Sequence, residues 1–107
     1  MKETGFLNVL SDRNFKEQQI IINPNDGFDL GLMTTEATVN MYVGDSLDVL
    51  DDPNAEKIPS RIYQKNECRL GTVELSYKVV GKLGGAKKVR LHLQDDSPYP
   101  KLLVGTV

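Results

Sequence analysis

Few residues here can do chemistry: the 107-residue chain has no tryptophan, one histidine (His92) and one cysteine (Cys68). Zinc takes several His or Cys ligands, so a zinc site is excluded. A single cysteine cannot close an internal disulfide, which fits a reducing compartment. A Ser-His-Asp or Cys-His arrangement would have to recruit His92, mid-strand beside Arg90. Apolar residues never run together for more than a few positions, so no segment is expected to span a membrane. The run Phe6 to Leu10 is broken by Asn8 and followed by Ser11-Asp12-Arg13, too short and too polar for a signal peptide. No Asn-x-Ser/Thr acceptor occurs. The expected setting is cytoplasmic or virion-associated, with no membrane partner and no cofactor.

Basic residues are missing from a long stretch as well. Glu17 to Glu56 holds nine acidic residues and no Lys or Arg. Lys57 to Leu93 holds nine basic residues against Glu67 and Glu74, a net of 9 − 2 = 7 positive charges. The formal total is only −2. Such sorting points to a charged partner, to a second copy of the chain, or to one segment neutralising the other. An overall pI near 5.3 argues against a dedicated nucleic-acid binder.

With 39% hydrophobic and 26% charged residues the composition is that of a globular chain. The length suits one domain, residues 1–107, able to close a core without staples. No internal repeat, low-complexity tract or linker is visible.

Period-two alternation dominates. Over Thr72 to Val80, Val73, Leu75, Tyr77 and Val79 share one parity, predicted inward. Over Lys87 to Gln94, Val89, Leu91 and Leu93 point inward, with Lys88, Arg90 and His92 outward. The glycine-rich segment Gly81 to Ala86 joins the two, so 72–94 reads as a β-hairpin with one buried face. Further strands are predicted over Phe6–Leu10, Gln18–Asn23, Phe28–Leu32, Ala37–Val43, Ile62–Lys65 and Leu102–Val107. Between the second and third of these, Asn23-Pro24-Asn25-Asp26-Gly27 signals a turn. Short helical turns are expected only near 46–58, where Ser46 or Asp45 caps Leu47 and Leu50, and Asp52-Pro53 resembles an N-cap with proline at the first helical position. The predicted fold is all-β: a small antiparallel β-sandwich or partly open barrel of about seven strands.

Two candidate binding surfaces follow. The basic one comprises Lys78, Lys82, Lys87, Lys88, Arg90 and His92, cations able to neutralise phosphates. Single-strand binders add exposed rings for base stacking, and the inward parity of Tyr77 withholds one here. The acidic one comprises Asp45, Asp48, Asp51 and Asp52, whose spacing matches no calcium-loop pattern, so no metal is assigned. Gly81 and Lys82 do not form a P-loop, lacking a glycine five residues earlier and a following Ser or Thr. Cys68 reads as a small core residue. The apolar end, Lys101 to Val107, reads as a final strand, with strand exchange or a longer natural chain as alternatives. The expected function is a non-enzymatic protein–protein interaction or assembly module, self-associating through complementary acidic and basic surfaces. The alternative is a nucleic-acid-binding domain using the basic face of 72–94.

Overall fold

The computed structural model describes residues 1–16 and 18–107. Glu17, the first residue of the acidic stretch, lies outside the described residues. The strands are β1 (Lys2–Glu3), β2 (Leu7–Asp12), β3 (Gln19–Ile22), β4 (Glu36–Val43), β5 (Ile58–Gln64), β6 (Thr72–Ser76), β7 (Lys88–Gln94) and β8 (Lys101–Gly105). Two six-residue helices, α1 (Pro24–Asp29) and α2 (Tyr77–Lys82), follow β3 and β6, and a 3₁₀ turn spans Leu47–Asp51. Among the described residues no helix is long and apolar enough to cross a membrane.

The protein is all-β with few helical turns, and its sheet closes. Neighbours run β7-β2-β6-β3-β5-β4-β8, and β8 pairs back onto β7, giving a seven-stranded barrel with β1 added outside β7. Closure leaves those seven strands without a free edge. The pairing is mixed rather than wholly antiparallel: β2 with β6, β3 with β5 and β4 with β8 run parallel. Inside lie Ile20, Ile22, Val39, Met41, Ile62, Val73, Leu75, Val89, Leu91, Leu102 and Val104, all essentially inaccessible to water. Burying each such side chain contributes about 1.5–3 kcal/mol.

The predicted 72–94 hairpin does not form. β6 pairs with β2 and β3, whereas β7 pairs with β1, β2 and β8. The strand expected to reach Val80 stops at Ser76, whose Oγ accepts a hydrogen bond from Val79 N at 3.2 Å and caps α2. Val79 still faces the core, but Tyr77, at the first helical position, is 59% exposed. A second predicted strand, Phe28–Leu32, is replaced by the end of α1. Asn23 Oδ1 accepts from Asn25 N at 2.9 Å, and Pro24 starts the helix. Both helical turns thus fall outside 46–58, while the turn predicted after Ser46 forms as the 3₁₀ segment.

An internal repeat is present, contrary to the sequence reading. Residues 7–43 and 60–94 build equivalent halves, strand-strand-helix-strand, related by an offset of 53 as far as the glycine after each helix and by 50 in the third strand, where Val39 opposite Ser60 corresponds to Val89 opposite Leu7. Thus Val9 corresponds to Ile62 (62 − 9 = 53) and Ile20 to Val73 (73 − 20 = 53). The N-caps Asn23 and Ser76 correspond, as do the C-caps Leu30 and Leu83. Gly31 and Gly84 follow them with φ of 72° and 67°, a left-handed turn that glycine adopts without penalty. The parallel pair Ile20–Ile62 becomes the parallel pair Val73–Val9, and Ile20–Leu75 becomes Val73–Ile22. A pseudo-twofold axis therefore passes between β3 and β6. Each half inserts its second strand beside the first strand of the other, so neither half is a barrel alone.

The segment linking the halves, 44–57, packs outside the barrel. Leu50 is buried against Tyr42 and Leu103 in a second, smaller apolar cluster. Lys101 Nζ donates to Leu50 O at 2.7 Å and pins the 3₁₀ turn.

Candidate ligand cleft at the open crossover

In each half, a crossover connects the first strand to the second and passes the helix of the other half. In the second half it is the 65–71 segment, and it is latched to α1. Asn23 caps α1 and also donates from Nδ2 to Cys68 O at 2.9 Å. The buried Asp26 carboxylate accepts from Gly71 N at 2.9 Å. Cys68 is buried, with Sγ 3.4 Å from Thr72 O and 3.7 Å from Ile21 O. Burial, together with the carboxylates of Glu74 and Asp26, pushes its thiol up to about 11. That value fits a packed thiol rather than a nucleophile.

The equivalent crossover of the first half, from β2 to β3, stands differently. Asp26 is replaced by Val79 (79 − 26 = 53), Cys68 by Phe15 (68 − 15 = 53) and Gly71 by Gln18 (71 − 18 = 53). The valine side chain offers no acceptor, and Phe15 is only partly buried where Cys68 is buried. The described residues of this crossover bond to their own turn and to β5, through Asn14 N to Asp12 Oδ1 at 2.8 Å and Arg61 N to Gln18 O at 2.8 Å. None of them hydrogen-bonds to α2. A cleft of about 750 Å³ opens between, lined by Arg13, Phe15, Lys16, Gln18, Ser76, Tyr77 and Lys78. That size suits a small ligand.

The lining is basic and aromatic. The Arg13 guanidinium lies over the Tyr77 ring, 5.4 Å from its centroid. Arg13, Lys16 and Lys78 are all exposed, with their charges at the mouth. This arrangement offers anion contacts beside a flat π surface, suited to a ligand carrying both phosphate and ring.

The basic residues singled out from the sequence do not form one face. Lys78 alone enters the cleft. Lys82, at the other end of α2, contacts Glu56 at 2.5 Å. Lys87 and Lys88 are exposed at the start of β7. Arg90 is half-buried, its guanidinium 4.3 Å from the Phe6 ring centroid, with Nε buried and lacking a hydrogen-bond partner. His92 is 3% exposed, not outward in solvent as predicted. Its Nδ1 is 3.2 Å from Glu3 Oε2 and its Nε2 2.9 Å from Val107 O, because β1 and the chain end cover that part of the barrel wall. Of the acidic set, Asp45, Asp48, Asp51 and Asp52 are all exposed along the linking segment. Asp52 Oδ1 accepts from Asn54 N at 2.9 Å, an ordinary turn role. Among the described residues no three His, Cys, Asp or Glu side chains converge on a point that would hold a metal.

Sequence reasoning missed Arg13, Phe15 and Lys16, which lie in a stretch without motif between the predicted strands Phe6–Leu10 and Gln18–Asn23, and Gln18, which it assigned only to the start of the second strand. The only available signal was the pair of cations just before the acidic stretch. No protein-family model, curated protein or solved structure matches this chain.

Proposed function

We propose that this chain is a binding module rather than a catalyst, and that the open crossover cleft receives an anionic ligand. The observation that carries the reading is the inequality of two equivalent crossings. One is closed by buried hydrogen bonds; the other is left open and surrounded by Arg13, Lys16 and Lys78. His92 and Cys68, the side chains best suited to catalysis, are both taken up in packing. Calorimetric titration with inorganic tripolyphosphate at about 50 mM salt tests it, a condition under which electrostatic binding is visible. Binding that weakens as salt rises and is lost in Lys78→Glu, yet survives Lys88→Glu, is expected. Absence of binding, or equal loss in both variants, overturns it.

A second reading, assembly between copies, is supported by the four exposed carboxylates of the linking segment. Among the described residues, the ion pairs Glu36–Arg61 and Glu56–Lys82 join the acidic and basic stretches. Neither uses Asp45, Asp48, Asp51 or Asp52, which are therefore available to the basic cleft of a neighbouring copy. Light scattering across a salt series tests this: a strict monomer at low salt and high concentration removes it.

A further inference from the structure

We infer that the anionic ligand is a single-stranded nucleic acid, laid along the outer surface of β2; this rests on the cleft reading above and goes beyond it. β2 has a cation stacked on a ring at each end. Arg13, the residue after β2, covers Tyr77 at 5.4 Å; Phe6, the residue before it, is covered by Arg90 of the neighbouring β7 at 4.3 Å. Both residues keep about half their surface in water, with Tyr77 at 59% and Phe6 at 51% exposure. At about 3.3 Å per residue the seven steps from Phe6 to Arg13 separate the two stacks by roughly 23 Å. About seven nucleotides at a stacked rise of 3.4 Å cover that length, and fewer when extended.

Between the stacks the outward side chains suit such a strand. Asn8 faces out between Lys88 of β7 and Thr72 of β6, its partners in register. Leu10 is 54% exposed beside Glu74, and Glu67 and Arg69 also border the middle of the track. An acidic peptide would use the lysines and arginines but has no use for two exposed rings. Bases stack on such rings whatever their identity, so little sequence preference follows. Arg90 keeps a buried Nε without a partner, held there by its packing on Phe6 rather than by an acid.

The test compares two probes on the intact chain, fluorescein-labelled (dT)₁₀ by anisotropy and tripolyphosphate by calorimetry. Phe6→Ala and Tyr77→Ala are each expected to weaken (dT)₁₀ binding about tenfold, the size of one lost stack. Phe6→Tyr is expected to restore it, which a merely structural role for Phe6 would not predict. Four phosphate contacts, from Arg13, Lys16, Lys78 and Lys88, predict a slope of about −3 for log K against log salt. Tripolyphosphate binding should be unchanged in Phe6→Ala. If Phe6→Ala leaves (dT)₁₀ affinity unchanged while tripolyphosphate still binds, the cleft stands and the nucleic-acid track falls. Poly-glutamate binding as tight as (dT)₁₀ overturns the track as well. If neither probe binds, the cleft reading itself fails.

Discussion

The two halves of the barrel share a backbone plan and differ in what they do with it. Residues 7–31 and 60–84 correspond in register, caps and a glycine turn, yet the crossover of one is latched and that of the other borders a cleft. The sealed crossing spends Asn23, Asp26, Gly71 and Cys68 on holding a loop to a helix. At the equivalent positions Ser76, Val79, Gln18 and Phe15 hold nothing across the gap, and cations collect there instead. A pseudo-symmetric fold thus carries its own control: whatever the open crossing does beyond folding should be missing from the closed one.

The largest effect expected is on the shared core. Ile62→Ala removes a fully buried side chain and should lower unfolding free energy by about 2–5 kcal/mol in urea melts. Its counterpart Val9 is only partly buried, so Val9→Ala should cost distinctly less. Equal losses would show that the two halves are packed alike. Next comes the latch. Asp26→Ala leaves Gly71 N unpaired in a partly buried place and should cost about 1 kcal/mol. It should also raise amide exchange across 65–71, and unchanged exchange there would mean that the crossover is not held by Asp26.

Cys68 tests the same latch chemically. With its thiol raised from 9.0 to about 11, the thiolate at pH 8 is about a hundredfold scarcer than for a free thiol, so alkylation should be correspondingly slow until the chain unfolds. The folded value lies above the unfolded one, so burial of the neutral thiol stabilises fully below pH 9 and the contribution fades as pH rises towards 11. Stability of Cys68→Ala should therefore fall less steeply over that window. Fast alkylation of the native protein would show that the 65–71 segment opens readily. The smallest stability effect belongs to the cleft: Lys16→Glu and Lys78→Glu, both at exposed positions, should shift unfolding by no more than about 0.5 kcal/mol while removing anion binding.

The strands were legible in the sequence because one face of each is buried, and alternation at Val73-Leu75 or Val89-Leu91-Leu93 reports that directly. Helices after β3 and β6 were not, because alternation across Tyr77-Val79 continued the strand pattern through a serine that caps. At Asn23-Pro24 the helix-start signal coincides with the turn signal of Asn25-Asp26-Gly27 and a helix forms, whereas the same pattern at Asp52-Pro53 starts none, Asp52 instead ending the 3₁₀ turn. Parallel pairing was invisible, since period two is the same in either direction. The repeat escaped because its equivalences, Ile20 with Val73 or Asn23 with Ser76, preserve size and role but seldom identity. The cleft was the least legible of all: Arg13 and Tyr77 are far apart in sequence and meet only when each half threads through the other.

Two-dimensional ¹H–¹⁵N NMR titration with unlabelled (dT)₁₀ compares the two crossings in one experiment. The account predicts shifts at residues 13–16, 18 and 76–78, extending to Phe6 and Lys88, with the latched 65–71 segment and α1 unmoved. Shifts centred on 65–71 and α1, or spread equally over both crossings, would contradict it.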